Sequence, residues 1–298
     1  MVTDRDGNYP SVMLTKLFAF RKVLPSRRRR QYLTQEQRAH WEQNGFLILP
    51  RFFSDTELDS VDVDIERFWN DRSDANPLVV DVTGGCRKGQ RVHQRTLSPD
   101  NRQVPHKLND LYLESEPCRS LVLEERLTAC LRELLNDEPV VINSLGFTQG
   151  SQQDPHFDTY FMPPPVENQM VVSSICFEDT HPDAGPLTYY PGSHRLEPFR
   201  FANGSLAPDD ESLSEATAYV RDLINEAGIE PATFIGSKGD VFLWHAQLYH
   251  GGLPIVDFAL TRRTLVTHYW GQTGVSGEIR TCSTGGQWLA RSHQPVPG

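Results

Sequence analysis

From Pro139 onward the chain is written in short strand-forming runs, and this half of the sequence leaves the fewest folds open. Val140 to Leu145, Val171 to Phe177, Leu187 to Tyr190, Val241 to His245 and Thr264 to Trp270 are rich in β-branched and aromatic residues. Turn formers separate them: Gly150, Asp179 to Pro186, Pro191-Gly192, Gly239-Asp240 and Gly251-Gly252. Many short strands with such punctuation predict an antiparallel barrel or jelly roll.

The first half reads differently. Thr34 is placed to cap a helix running to Gln43, with Gln37 in the third position of a capping box, and Asn44-Gly45 stops it. Phe46 to Leu49 reads as a strand, and Ser54 caps a second helix to about Trp69. Glu114 to Leu135 reads as two helical segments, with Leu127, Leu131, Leu134 and Leu135 at helical spacing. Residues 72–108 have no clear period and are expected to form a lid or substrate loop. Residues 196–232 form a polar insertion with an acidic helix from Asp209 to Ala227. Helices followed by strands give an α+β chain with flanking N-terminal helices and one domain over 32–298.

Charge narrows the function. The net charge of -10 is unevenly spread, because residues 1–30 hold eight Lys or Arg against two Asp. The rest is strongly acidic, which argues against nucleic acid as a partner. No apolar run is long enough for stable membrane insertion. Cys86, Cys118, Cys130, Cys176 and Cys282 are scattered without a C-x-x-C, so neither a disulfide framework nor a zinc site is expected, and a reducing cytoplasm fits. Residues 1–31, with Arg27 to Arg30, read as a basic, flexible arm.

Chemistry enters at His156-Phe157-Asp158. On an extended strand, residues two apart share a face, so an imidazole and a carboxylate can meet one metal ion. A third ligand from a distant strand completes two histidines and one carboxylate, a set suited to non-haem Fe(II) with open positions. His250 and His245 are the candidates. Five apart, they face opposite sides of a regular strand, and the Gly251-Gly252 break favours His250. His181 and His194 read as structural or surface residues, and His268 as a hydrogen-bonded core histidine. Tyr160, Phe161 and Met162 are either pocket lining or plain core.

Four stretches in order resemble the phytanoyl-CoA dioxygenase family of Fe(II)/2-oxoglutarate-dependent oxygenases: Asn44 to Pro50, His156-Phe157-Asp158, Ala184 to Leu187 leading to Pro191 to Arg195, and Gly239 to Val241 leading to His250-Gly251 and Arg262. The resemblance covers roughly residues 33–272. It implies a double-stranded β-helix (jelly-roll, cupin-like) core, with His156, Asp158 and His250 as iron ligands. It also implies that Arg262 pairs with the distal carboxylate of 2-oxoglutarate, with Arg263 as the fallback, and that Lys107 contacts the co-substrate. A guanidinium fork suits a carboxylate. Two positions depart from the pattern: Gly252 stands where relatives often carry Ser, and Ser174 about where some carry Trp. The presence of Asp158 favours oxygen transfer over halogenation.

The expectation is a dioxygenase that uses Fe(II), 2-oxoglutarate and O₂ to oxidise a C–H bond of a small-molecule substrate, releasing succinate and CO₂. A metal-dependent cupin-like enzyme of other chemistry, or a non-catalytic binding module on the same barrel, are the alternatives.

Overall fold

The computed structural model describes residues 31–98, 102, 104–208 and 213–297. The expected basic arm, and the first residues of the expected acidic helix, lie outside the described residues. Helix α1 (Gln35–Asn44) starts at the predicted capping box, in which Thr34 Oγ1 accepts from the Gln37 amide at 3.1 Å and the Gln37 side chain accepts from the Thr34 amide at 2.9 Å. Gly45, at φ 77°, ends α1 in the left-handed region and turns the chain straight into β1 (Phe46–Leu49). Ser54 and Glu57 form a second capping box at the head of α2 (Asp55–Asn70). Helices α3 (Leu111–Glu114), α4 (Glu116–Val122) and α5 (Glu125–Leu135) follow, and α5 buries Leu127, Leu131 and Leu135 as its spacing predicts.

The remaining strands are β2 (Val79–Val82), β3 (Arg91–His93), β4 (His106–Asn109), β5 (Pro139–Phe147), β6 (Met170–Cys176), β7 (Leu187–Tyr189), β8 (Ala232–Phe234), β9 (Val241–His245), β10 (His250–Gly252), β11 (Thr264–Gly271), β12 (Glu278–Thr281) and β13 (Gln287–Ala290). The large sheet runs β1-β9-β6-β11-β5-β4-β2-β3, with β13 alongside β5 and β12 alongside β13; β10-β7-β8 form a small sheet. Neighbours are antiparallel except β13 and β5.

Burial explains the strand sequences. Every residue of β6 is buried, because its two faces serve different clusters. Val171 and Ile175 join Leu243, Leu265, Tyr269 and the helical residues Leu58, Val61, Leu127 and Leu131 on the outer face. Met170, Val172 and Cys176 face inward with Phe46, Tyr189, Phe234, Phe242 and Trp244. At about 1.5–3 kcal/mol per fully buried large side chain, this two-sided burial fixes the register, since a one-residue slip would exchange the faces. The architecture is the expected α+β jelly roll with helices over one face of its large sheet.

The segment 72–108, expected as a loop, instead supplies β2, β3 and β4, which widen the large sheet through Lys107↔Phe147 and Asn109↔Leu145. Its alternation escapes a sequence reading because the strands are three or four residues long and their polar residues face a cavity. Helix α6 (Leu213–Glu226) packs Ala216, Val220 and Ile224 against Phe157, Tyr160, Phe201 and Tyr249. The insertion thus supports the loop that carries His156 and Asp158.

Candidate active site

His156 and His250 are joined backbone to backbone: the His156 amide donates to the His250 carbonyl at 2.8 Å, and the His250 amide returns the bond at 3.1 Å. This single antiparallel bridge sets the two rings 4.6 Å apart, centroid to centroid. The regular strand expected through 156–158 is not formed. Asp158 begins a 3₁₀ turn, Asp158–Tyr160, and the turn brings its carboxylate round to the histidines while buried Phe157 points away into the α6 cluster. Asp158 Oδ1 lies 3.6 Å from His156 Nε2, and Oδ2 lies 3.7 Å from His250 Nε2. One donor atom from each of the three residues falls within 4.8 Å of the others.

The protonation pattern follows from the carbonyls behind the rings. His156 Nδ1 is 2.7 Å from the Asp154 carbonyl, and His250 Nδ1 is 2.8 Å from the Leu248 carbonyl. A carbonyl only accepts, so each Nδ1 carries a hydrogen and Nε2 is the atom each ring turns toward the cluster. Burial pushes His250 down to about 4, so it is neutral at physiological pH. Burial alone would raise Asp158, but the surrounding His250, His156 and His268 reverse this and hold the carboxyl well below its ordinary range. With both rings neutral, two Nε2 lone pairs and a carboxylate converge on one point. A divalent cation relieves that repulsion, so the donor set fits Fe(II).

Two neighbours of Asp158 were not singled out from sequence as site residues. Trp244 Nε1 donates to Asp158 Oδ2 at 2.8 Å, and His268 Nε2 lies 3.8 Å from Oδ1. His268 was expected to be a satisfied core histidine; instead its Nδ1 is buried without a partner and the residue lines the cavity. Strand parity carried the signal, because Arg262, Thr264, Val266 and His268 share one face along β11 and its approach.

His245 stands apart from the cluster. It packs beside Trp41 and His194, and its Nδ1 accepts from the Gln247 amide at 3.1 Å. Arg262 is buried, its Nε has no hydrogen-bond partner, and burial pushes its guanidinium down to about 10, leaving it charged at neutral pH. Among the described residues no carboxylate pairs with it, so it fits an incoming carboxylate. Arg263 faces the other way and pairs with Asp62. Lys107 lines the same cavity, with burial lowering its pKa against the opposing pull of Asp81 and Asp158.

The cavity, about 330 Å³, is lined on its polar side by Asn109, Asn143, Ser174 and His268 and on its apolar side by Leu145, Phe147, Phe161, Met162, Leu187 and Val266. Tyr160 is core, with its hydroxyl accepting from the Phe199 amide at 2.9 Å. Gly252 has no room for a side chain: a Cβ there would sit 2.3 Å from Ser151 Oγ.

A family model described as phytanoyl-CoA dioxygenase matches residues 41–256. The chain is 26% identical over 235 residues to an ectoine dioxygenase of Bordetella bronchiseptica, a match covering 74% of this chain and 70% of that one. It is 23% identical over 234 residues to the peroxisomal phytanoyl-CoA dioxygenase of Mus musculus, covering 74% and 63%. Among solved structures it is similar to the non-haem α-ketoglutarate-dependent carbocyclase SnoK from nogalamycin biosynthesis, with TM-score 0.61, 16% identity and coverage of 80% and 84%. It is also similar to EctD from S. alaskensis with 2-oxoglutarate and 5-hydroxyectoine, with TM-score 0.55, 18% identity and coverage of 84% and 80%.

Proposed function

The chain belongs to the phytanoyl-CoA dioxygenase family of Fe(II)/2-oxoglutarate-dependent dioxygenases, and on that premise we propose that it hydroxylates or otherwise oxidises an unactivated C–H bond of a small organic substrate. In this reading His156, Asp158 and His250 hold the metal and Arg262 anchors the co-substrate. When bound, the iron couples O₂ reduction to decarboxylation of 2-oxoglutarate, so that succinate and CO₂ leave with the oxidised substrate.

The chain's own residues do the arranging. His156 and His250 present Nε2 because their Nδ1 hydrogens are already bonded to carbonyls. Asp158 brings the negative charge, and the Trp244 indole keeps its carboxylate in one rotamer. Arg262 offers a charged, partner-free fork to the distal carboxylate, and Lys107 adds a second positive group on the same cavity. Phe161, Met162, Leu187 and Val266 give an apolar surface to the side where a C–H bond must approach. The single observation that carries the reading is the convergence of three ligand atoms within 4.8 Å in a cavity also lined by Arg262, a buried arginine without a carboxylate partner among the described residues.

Substrate-stimulated release of succinate from 2-oxoglutarate, compared between wild type and His156→Ala, tests it. The expected result is Fe(II)-dependent succinate from the wild type and none above background from the variant. A wild type that binds no iron and consumes no 2-oxoglutarate across candidate substrates returns the protein to the binding-module reading.

A further inference from the structure

The family match ends at residue 256, yet the chain returns to the active site long after it. β13 runs parallel to the start of β5, with Gln287 opposite Val140 and Trp288 opposite Val141. The segment 291–297 that follows is anchored by three contacts. Arg291 Nε donates to the Ile142 carbonyl at 3.2 Å, and its Nη2 lies 2.7 Å from Asp110 Oδ2. Asp110 is fully buried, and its other oxygen accepts from Asn143 Nδ2 at 2.9 Å. The ion pair therefore ties the segment to Asp110, which in turn holds the amide of Asn143, a residue that lines the cavity. His293 Nε2 is 2.8 Å from Glu114 Oε1. Past these anchors Gln294 lines the inner cavity, and Pro297 lines an outer groove of about 990 Å³ that shares Asp81, Arg91, Lys107, Ser151 and Gln153 with it.

We infer that residues 291–297 are the entrance wall of the active site, and that Gln294 gates the passage of polar ligands between the groove and the cavity. The segment stands at the junction of the two spaces. The two spaces share a strip of charged side chains, in which Arg91 grips Asp81 at 2.6 and 2.9 Å and Lys107 is the neighbour of Asp81 across the strand pair. A carboxamide at the mouth both donates and accepts, so it can bond to anionic and neutral polar molecules in transit. The Arg291–Asp110 pair holds this wall at a fixed distance from the sheet.

The inference rests on the dioxygenase reading, and its test separates the two. The protein is loaded with Ni(II), which replaces iron without turnover, and association and release of 2-oxoglutarate are followed by rapid mixing. A chain ended after Ser292 is expected to release 2-oxoglutarate roughly tenfold faster, and Gln294→Trp to admit it several-fold more slowly, as for other gating segments. Both variants are expected to bind Ni(II) with wild-type stoichiometry. If the shortened chain does not fold, Gln294→Trp alone decides. Rates within about twofold of wild type overturn the entrance wall. A wild type that takes up neither Ni(II) nor 2-oxoglutarate overturns the dioxygenase reading instead.

Discussion

The fold itself sets how the His156 and His250 rings are turned, because each Nδ1 hydrogen is bonded to the carbonyl two residues earlier. Their spacing to those carbonyls is visible in sequence only once the backbone bridge between the two residues is known. His-x-Asp was legible as a motif, and His250 was preferred over His245 on the Gly251-Gly252 break. Trp244 and His268 were not legible as neighbours of Asp158, since a tryptophan or histidine on a buried strand reads equally well as core. Trp244→Phe removes the 2.8 Å donor to Asp158 while keeping an aromatic ring. It is expected to weaken metal binding roughly tenfold with little loss of fold, measured by metal titration. Arg262 offers a sharper contrast. A buried cation without a partner costs stability, so Arg262→Met is expected to raise the melting temperature of the metal-free protein. The same change is expected to weaken 2-oxoglutarate binding by about 2–5 kcal/mol in calorimetry, because it removes the buried guanidinium proposed to hold the distal carboxylate.

At the scale of elements, capping boxes at Thr34 and Ser54 and the apolar stripe of α5 were readable, because local chemistry alone fixes them. β2, β3 and β4 were not, because only β4 reaches β5 directly, the other two are added through it, and their inward positions Asp81, Arg91, Lys107 and Asn109 look like solvent-facing ones. The departure at Gly252 is explained at this scale too. β10 passes so close to the 151–152 turn that a Cβ would meet Ser151 Oγ at 2.3 Å and the Gln152 nitrogen at 2.8 Å. Gly252→Ser is therefore expected to destabilise the fold by about 1–3 kcal/mol in denaturant titration. Adding Ser151→Gly is expected to recover part of that loss, with the backbone contact at Gln152 limiting the rescue.

The whole molecule carries an acid-side liability built from histidines that packing keeps neutral. His245, packed beside Trp41 and His194, is pushed by burial from 6.5 down to about 4, and burial lowers His106 and His194 in the same direction. The unfolded chain gains a proton near 6.5, whereas folded His245 resists protonation until about 4, so stability falls as pH drops through that window and levels off beneath it. His245 alone accounts for a loss of about 3 kcal/mol. Urea titrations at several pH values are expected to show that slope, and His245→Gln to flatten it. The same variant bears on the central claim, which is that His250 and not its neighbour completes the site with His156 and Asp158. Anaerobic Fe(II) binding in the presence of 2-oxoglutarate, measured as iron retained per chain, tests this most directly. The account predicts that wild type and His245→Gln each hold one iron and that His250→Ala holds none. Iron retained by His250→Ala, or lost from a folded His245→Gln, would contradict it.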